Sequence, residues 1–315
     1  MNQARPLLRM NQGDRSEGRI YYCPHFVAAE AGFFATEGID VAFDWATSGG
    51  TSILGGQLPA VIDGRADLAI GGPMVVMRLA QDGGPPLAAF CAAVAANPWV
   101  LAAPAPMPGF SLARLAGCRV RDMAAIGTAT LTFRWLLARH GVGGVTLEPS
   151  SGDATADIAA LARGDVDYGL HSLHALGPAV AEGQVAVVAD LARLTGPVPW
   201  SAYIARRDRM AAQPARFAAF TRAIGRALHW IASHDAAEIA ALVARHYPGY
   251  PAAGLRVALA GYKASGTFAS GPMIPRADHD RFARIMAETG WLTAPVSYKC
   301  VVEPGFAAGV IGGSP

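Results

Sequence analysis

Several things are scarce in this chain, and each scarcity excludes a class of function. There are only 4 cysteines in 315 residues, Cys23, Cys91, Cys118 and Cys300. They form no CxxC pair, which argues against a zinc ribbon or a dithiol redox motif. An even count does not by itself imply disulfides in a chain of this size. Long apolar runs are missing, since Gly, Pro or a charge interrupts each one, so no membrane-spanning segment or membrane insertion is expected. Charge of one sign is not concentrated anywhere. The net charge is +2 with 16% charged residues, which leaves no footprint for nucleic acid and no polybasic patch for a membrane surface. Residues 1–18 carry Arg5, Arg9, Asp14, Arg15 and Glu17 without the run of about 7–15 apolar residues that a secretory signal needs. The expectation is a cytoplasmic protein, or a periplasmic one if a leader precedes this sequence.

What is present is apolar and repetitive. At 52% hydrophobic residues, the chain can bury large cores, and its length favours two domains over one. One pattern occurs twice. Ala60–Gly72 and Ala160–Ser172 each read as a helix end, a glycine (Gly64, Gly164), an aspartate (Asp67, Asp167), a short apolar strand and a small or polar strand end. Glycine belongs just past a helix because it takes the left-handed conformation without strain. In open α/β sheets, ligands sit outside the carboxyl ends of strands. The duplication therefore predicts two α/β lobes, each offering strand-end loops to one cleft.

In chain order, residues 18–23 read as a first strand stopped by Pro24, and residues 25–34 as a helix. Ile39–Trp45 alternates as a half-buried strand. Residues 47–52, rich in glycine and hydroxyls, precede a helix. That pattern suits either an anion site or simple capping. Residues 87–96 form an apolar strand, and the chain crosses to the second lobe near Asn97-Pro98-Trp99. It returns near Trp200–Ile204, and from Pro214 on it is mostly helical, with a Gly/Ser-rich loop over 261–271. The predicted division is lobe one at 19–97 plus 204–315, lobe two at 100–200, and an N-terminal extension over 1–18. Two crossings between lobes describe a hinged binding protein.

The candidate site follows from the strand ends. Cys23, His25, Trp45, Ser48, Gly49, Gly50, Gly72, Met123, Ser151 and His171 are expected to bind a ligand. Cys23 could be a nucleophile with His25 or His171 as base. The alternative is a buried, unreactive thiol. Cys23, His25 and His171 are thus the catalytic candidates if the protein is an enzyme. His171 and His174 would share a face if helical, as a metal pair might, but no further ligand stands near them. Arg121 could grip a carboxylate or sulfonate bidentately, or be an ordinary surface arginine. No cofactor and no metal are expected.

Phe26-Val27-Ala28-Ala29-Glu30-Ala31-Gly32-Phe33-Phe34, followed by Glu37-Gly38-Ile39-Asp40-Val41, resembles the opening of the nitrate/sulfonate/taurine class of solute-binding proteins. Related thiamine-pyrimidine synthases share that opening. Asp63–Ala69 and Ala227–His234 are similar to later segments of the same family, so the resemblance spans about Arg19 to Trp291. It implies a two-lobe α/β fold of the periplasmic-binding-protein type (type II), with the ligand between lobes. It also implies an ABC permease as partner for a small organic anion or aromatic solute. Three features resemble the aryl-sulfinate desulfinases instead. They are Cys23-Pro24, the segment Gly164-Asp165-Val166-Asp167 and the run Pro275-Arg276-Ala277-Asp278-His279-Asp280. An enzyme of desulfinase or pyrimidine-synthase type, using Cys23 and His25, is therefore the alternative. The cysteine-rich motif of the synthases is missing.

Overall fold

The computed structural model describes residues 5–13, 19–45, 56–123 and 127–312. Its ten strands are β1 (Leu7–Asn11), β2 (Asp40–Asp44), β3 (Leu68–Gly71), β4 (Leu87–Val94), β5 (Trp99–Ala103), β6 (Arg119–Asp122), β7 (Thr146–Pro149), β8 (Tyr168–Ser172), β9 (Ala186–Asp190) and β10 (Ser201–Arg206). They form two five-stranded sheets, ordered β2-β1-β3-β10-β4 and β7-β6-β8-β5-β9. In the first sheet β1 runs parallel to β2 and β3, and β10 is antiparallel to β3 and β4. In the second, β6 is parallel to β7 and β8, and β5 is antiparallel to β8 and β9. The two sheets share one topology.

The chain divides into two compact units. Unit 1 comprises Met1–Ala95, Val198–Tyr247 and Phe268–Pro315, and unit 2 comprises Ala96–Pro197 and Pro248–Thr267.

Three sequence expectations are corrected here. Residues 20–22 are a 3₁₀ turn with Ile20, Tyr21 and Tyr22 all buried, and not a strand. The first strand is β1, inside the stretch read as an extension. There Leu8 and Met10 are fully buried while Arg9 is exposed, an alternation only five residues long with a single arginine at its centre. Residues 248–267 belong to unit 2 and not, as the sequence predicts, to lobe one. The helix Ala252–Ala264 is bound there by close backbone packing. A Cβ on Gly177 would come within 2.7 Å of the Gly254 carbonyl oxygen, so only glycine permits that approach. The His174 N–H also donates to the Tyr262 hydroxyl at 3.0 Å. That helix runs through Ala264, so most of the first turn of the expected 261–271 loop is helical.

The repeated aspartates now have a structural role. The Asp67 carboxylate accepts the Arg9 N–H at 2.8 Å, and the Asp67 N–H donates to the Arg9 carbonyl at 2.8 Å. Asp167 does the same with Arg119, at 2.7 and 3.2 Å. Each aspartate thus closes the first rung between two parallel strands, where the ladder would otherwise leave an N–H unpaired. Asp67 also pairs with Arg209 at 2.6 Å and is 8% exposed, whereas Asp167 is exposed. Asp67→Ala is therefore expected to cost about 2–3 kcal/mol and Asp167→Ala about 1 kcal/mol, the Arg209 contribution being reduced by its exposure. Denaturant unfolding of the two variants checks this, and equal losses would refute it.

The longest helix, Pro214–Ser233, buries Phe217, Phe220, Ile224, Leu228 and Ile231, a stripe at helical spacing. It lies on β4, whose eight residues are all buried. Among the described residues, no helix is long and apolar enough to cross a membrane.

Candidate functional site

In unit 1, the carboxyl end of β1 continues into Gln12 and Gly13. Gly13 has φ +87°, and a Cβ there would meet Gln57 Nε2 at 2.6 Å, so the turn requires glycine. Gln12 is 3% exposed and faces the helix Pro24–Glu30, whose first turn carries His25. The His25 Nε2–H donates to Gln12 Oε1 at 2.9 Å, and its Nδ1 accepts from the Tyr203 hydroxyl at 3.3 Å. The ring lies 4.3 Å from Phe26 and 5.2 Å from Phe43, centroid to centroid. Burial, with a smaller contribution from His246, pushes the imidazole pKa down to about 3. It is neutral near pH 7, and both nitrogens are engaged.

Cys23 precedes that helix and is 0% exposed. Burial pushes its thiol far up from the ordinary value. The partial exposure that a nucleophile needs is absent, and with His25 held neutral the two cannot form a thiolate–imidazolium pair. The buried-thiol reading fits the geometry. Thiol labelling of the native protein is expected to proceed fastest at exposed Cys300. Cys118 follows, slowed because burial and Asp167 raise its pKa. Cys23 and Cys91 should react only on unfolding. Fast labelling of Cys23 in the native state would overturn this assignment.

The remaining unit 1 candidates lie at the ends of the strands flanking β1. Half-buried Trp45 follows β2, and Gly72 follows β3 and begins the helix Pro73–Gln81. A side chain at Gly72 would collide with Met74. Ser48, Gly49 and Gly50 lie outside the described residues.

In unit 2, Met123, Ser151 and His171 follow or end β6, β7 and β8, three adjacent strands. Met123 is 3% exposed and packs over Gly169, where any Cβ would strike its methyl group. Ser151 is exposed and braces the loop. Its N–H donates to Asp157 at 3.1 Å, and the Asp153 N–H donates to its hydroxyl at 3.3 Å. His171 is half-buried, accepts the Ser172 N–H at Nδ1 at 2.7 Å, and lies 5.7 Å from the Trp99 ring. His171 is on β8 and His174 in the next helix, so the two do not share a helical face. Among the described residues, no three His, Cys, Asp or Glu side chains come together as a metal would need.

Arg121 is not offered to a ligand. Its guanidinium pairs with Glu148 at 2.8 Å and Asp157 at 2.9 Å, and those contacts raise its pKa.

Sequence reasoning missed three groups. Gln12 Nε2, Trp99 Nε1 and Asp122 Oδ1 are buried and have no hydrogen-bond partner among the described residues. Gln12 follows β1, Trp99 begins the antiparallel strand β5 opposite Ser172, and Asp122 ends β6. Each stands at the carboxyl edge of the parallel strands in its own sheet. The repeat held the signal for Gln12. An aspartate that ties Arg119 to β8 in unit 2 implies an equivalent strand before β3 in unit 1.

Comparisons with known proteins agree with this architecture. The Bacillus subtilis (strain 168) protein YtlA, named as a candidate binding protein, is 22% identical over 291 residues, covering 90% of this chain and 84% of YtlA. The alkanesulfonate-binding protein SsuA from Xanthomonas axonopodis pv. citri, solved bound to MOPS, superposes with a TM-score of 0.66 at 17% identity, covering 96% of this chain and 99% of that one. The desulfurization enzyme DSZB superposes equally well, with a TM-score of 0.66 at 18% identity and coverage of 98% and 99%. The fold is that of the periplasmic binding proteins. The family described as NMT1/THI5 like matches residues 19–238, more than half of the chain. With its two sheets of shared topology, the chain belongs to the NMT1/THI5-like family.

Proposed function

We propose that this protein binds a small organic anion or aromatic solute and serves as the ligand-binding component of an ABC-type importer. One observation carries the reading. Each unit keeps a buried N–H donor without a partner at the carboxyl edge of its parallel strands, Gln12 Nε2 in unit 1 and Trp99 Nε1 in unit 2. A buried donor left unpaired costs about 1–3 kcal/mol, and an acceptor-rich ligand removes that cost. In unit 2, Asp122 Oδ1 would take a hydroxyl or amine hydrogen of a ligand held at that edge. Trp45 and Gly72 in unit 1, and Met123, Ser151 and His171 in unit 2, are the further ligand-binding candidates at the strand ends of their own sheets, and Ser48, Gly49 and Gly50 are candidates by sequence alone. The names of the relatives YtlA and SsuA support a binding role, and a periplasmic location draws support from the name of the Escherichia coli periplasmic aliphatic sulphonate binding protein SsuA. The enzyme alternative draws support from the likeness to DSZB. Burial and a raised pKa at Cys23 count against it.

Titration calorimetry with methanesulfonate, benzenesulfonate and benzoate tests the reading. At least one should bind. Trp99→Phe keeps the ring and loses the donor, and should weaken that binding about tenfold, or about 1.4 kcal/mol. Failure of all three at millimolar concentration, or unchanged affinity in Trp99→Phe, would sink the reading.

A further inference from the structure

Unit 2 holds a cavity of about 250 Å³ whose lining includes none of the residues expected to bind the ligand above. Its walls come from four elements of one unit. Val100 and Val187 project from β5 and β9, Leu173 from the helix Leu173–Ala181, and Val257 from the helix Ala252–Ala264. The wall is apolar, and Val187 at 38% exposure is one of two large hydrophobic residues left exposed among those described.

Two charged side chains break this apolar lining, Asp190 and Arg193. The other polar groups are already engaged. The Tyr262 hydroxyl accepts the His174 N–H, and the Ser265 hydroxyl bonds with that of Thr267 at 2.7 Å. Asp190 caps the helix Leu191–Thr195 through Oδ1, which accepts the Ala192 N–H at 2.9 Å. Its Oδ2 lies 3.9 Å from Arg193 Nε, too far for a hydrogen bond. The pair is therefore incomplete. It presents one carboxylate oxygen and one guanidinium side by side at an apolar cavity. Burial raises the Asp190 pKa, and a cation bound there would oppose that shift.

We propose that this cavity is a second ligand site, for a hydrophobic α-amino acid. The ammonium pairs with Asp190 Oδ2 and the carboxylate with Arg193. The apolar side chain fills the space between Val100, Val187, Leu173 and Val257. A zwitterion fits better than either ion alone, because each of its charges meets its opposite and neither protein charge is left facing its like. Small-molecule pockets commonly join apolar walls to a few placed polar groups.

Calorimetric titration with L-phenylalanine, phenethylamine and 3-phenylpropionate tests the proposal. L-phenylalanine should bind, and each analogue, lacking one charged head, about tenfold more weakly. Asp190→Asn should weaken L-phenylalanine and phenethylamine but not 3-phenylpropionate. Arg193→Ala, at an exposed position that folding does not need, should do the reverse for the two analogues. Val257→Trp should fill the cavity and abolish binding, while leaving affinity for the sulfonates and benzoate unchanged. No L-phenylalanine binding at millimolar concentration would overturn the proposal. So would binding that survives Val257→Trp, or binding lost in Trp99→Phe instead. The anion titrations succeed or fail independently of these results.

Discussion

Phe90→Ala is expected to lower the unfolding free energy of unit 1 by about 3–5 kcal/mol, the range for truncating a buried phenylalanine. Phe90 is 1% exposed on β4. Its ring meets Phe217 at 5.2 Å, Phe220 at 5.9 Å and Phe306 at 6.1 Å, with the first contact edge to face. Tyr203 and Phe34 extend the cluster from Phe220, at 4.9 and 5.4 Å. Although β4 ends its sheet, it is covered. Ala89 and Val94 form bridges to Val302 and Phe268, and the helix Pro214–Ser233 lies across it. The surrounding rings are held by several partners each, so they cannot collapse into the space left behind, and the cavity contribution is retained. Val187→Ala, at a 38% exposed site, should cost less than about 1 kcal/mol. Urea unfolding midpoints at unchanged slope measure both. A loss below about 1 kcal/mol for Phe90→Ala would mean that the ring cluster does not hold the unit together.

Asp157→Asn should destabilise unit 2 by about 2–4 kcal/mol at pH 7, somewhat below the cost of breaking a fully buried pair because Arg121 is 21% exposed. Asp157 itself is 1% exposed. Burial alone would raise its pKa. Hydrogen bonds from the Ser150 hydroxyl at 2.6 Å and the Ser151 N–H, with Arg121 beside it, outweigh burial and hold the carboxyl below its ordinary value. The sign of the pH effect follows. A depressed folded-state pKa contributes stability that is fully present above the unfolded value of about 3.9. That stability is lost as pH falls through the lower, folded value. The gap in melting temperature between wild type and Asp157→Asn should therefore hold from pH 7 to about 5 and shrink below about 4. A gap that stays constant down to pH 3 would show that the carboxylate charge is not what Arg121 and Ser150 recognise.

The repeat of Gly64 to Asp67 and Gly164 to Asp167 was legible because it is local. A helix end, a left-handed glycine and a strand entry are set by neighbours within about ten residues, and their spacing survives in the chain. Two α/β units with strand-end loops followed from it, as did Trp45, Gly72, Met123 and His171 at strand ends. Legibility stopped where a residue's role depends on what packs against it. Leu7–Asn11 is too short to announce a strand, with Arg9 at its centre, and becomes one because β2 and β3 flank it. His25 reads as a helix-start histidine two residues past a cysteine. Burial against Gln12, Tyr203 and Phe43 makes it a neutral core group instead. Arg121 reads as a free guanidinium, and its partners Glu148 and Asp157 arrive from 27 and 36 residues away. Residues 248–267 carry no sign of their unit, because the approach of Gly254 to Gly177 is a contact between distant helices. The order of residues along the chain carried the class of fold, the duplication and the strand ends of each sheet. Tertiary structure alone decided which polar groups there are consumed and which stay unpaired, because burial and hydrogen-bond partners are properties of position in space and not of order along the chain.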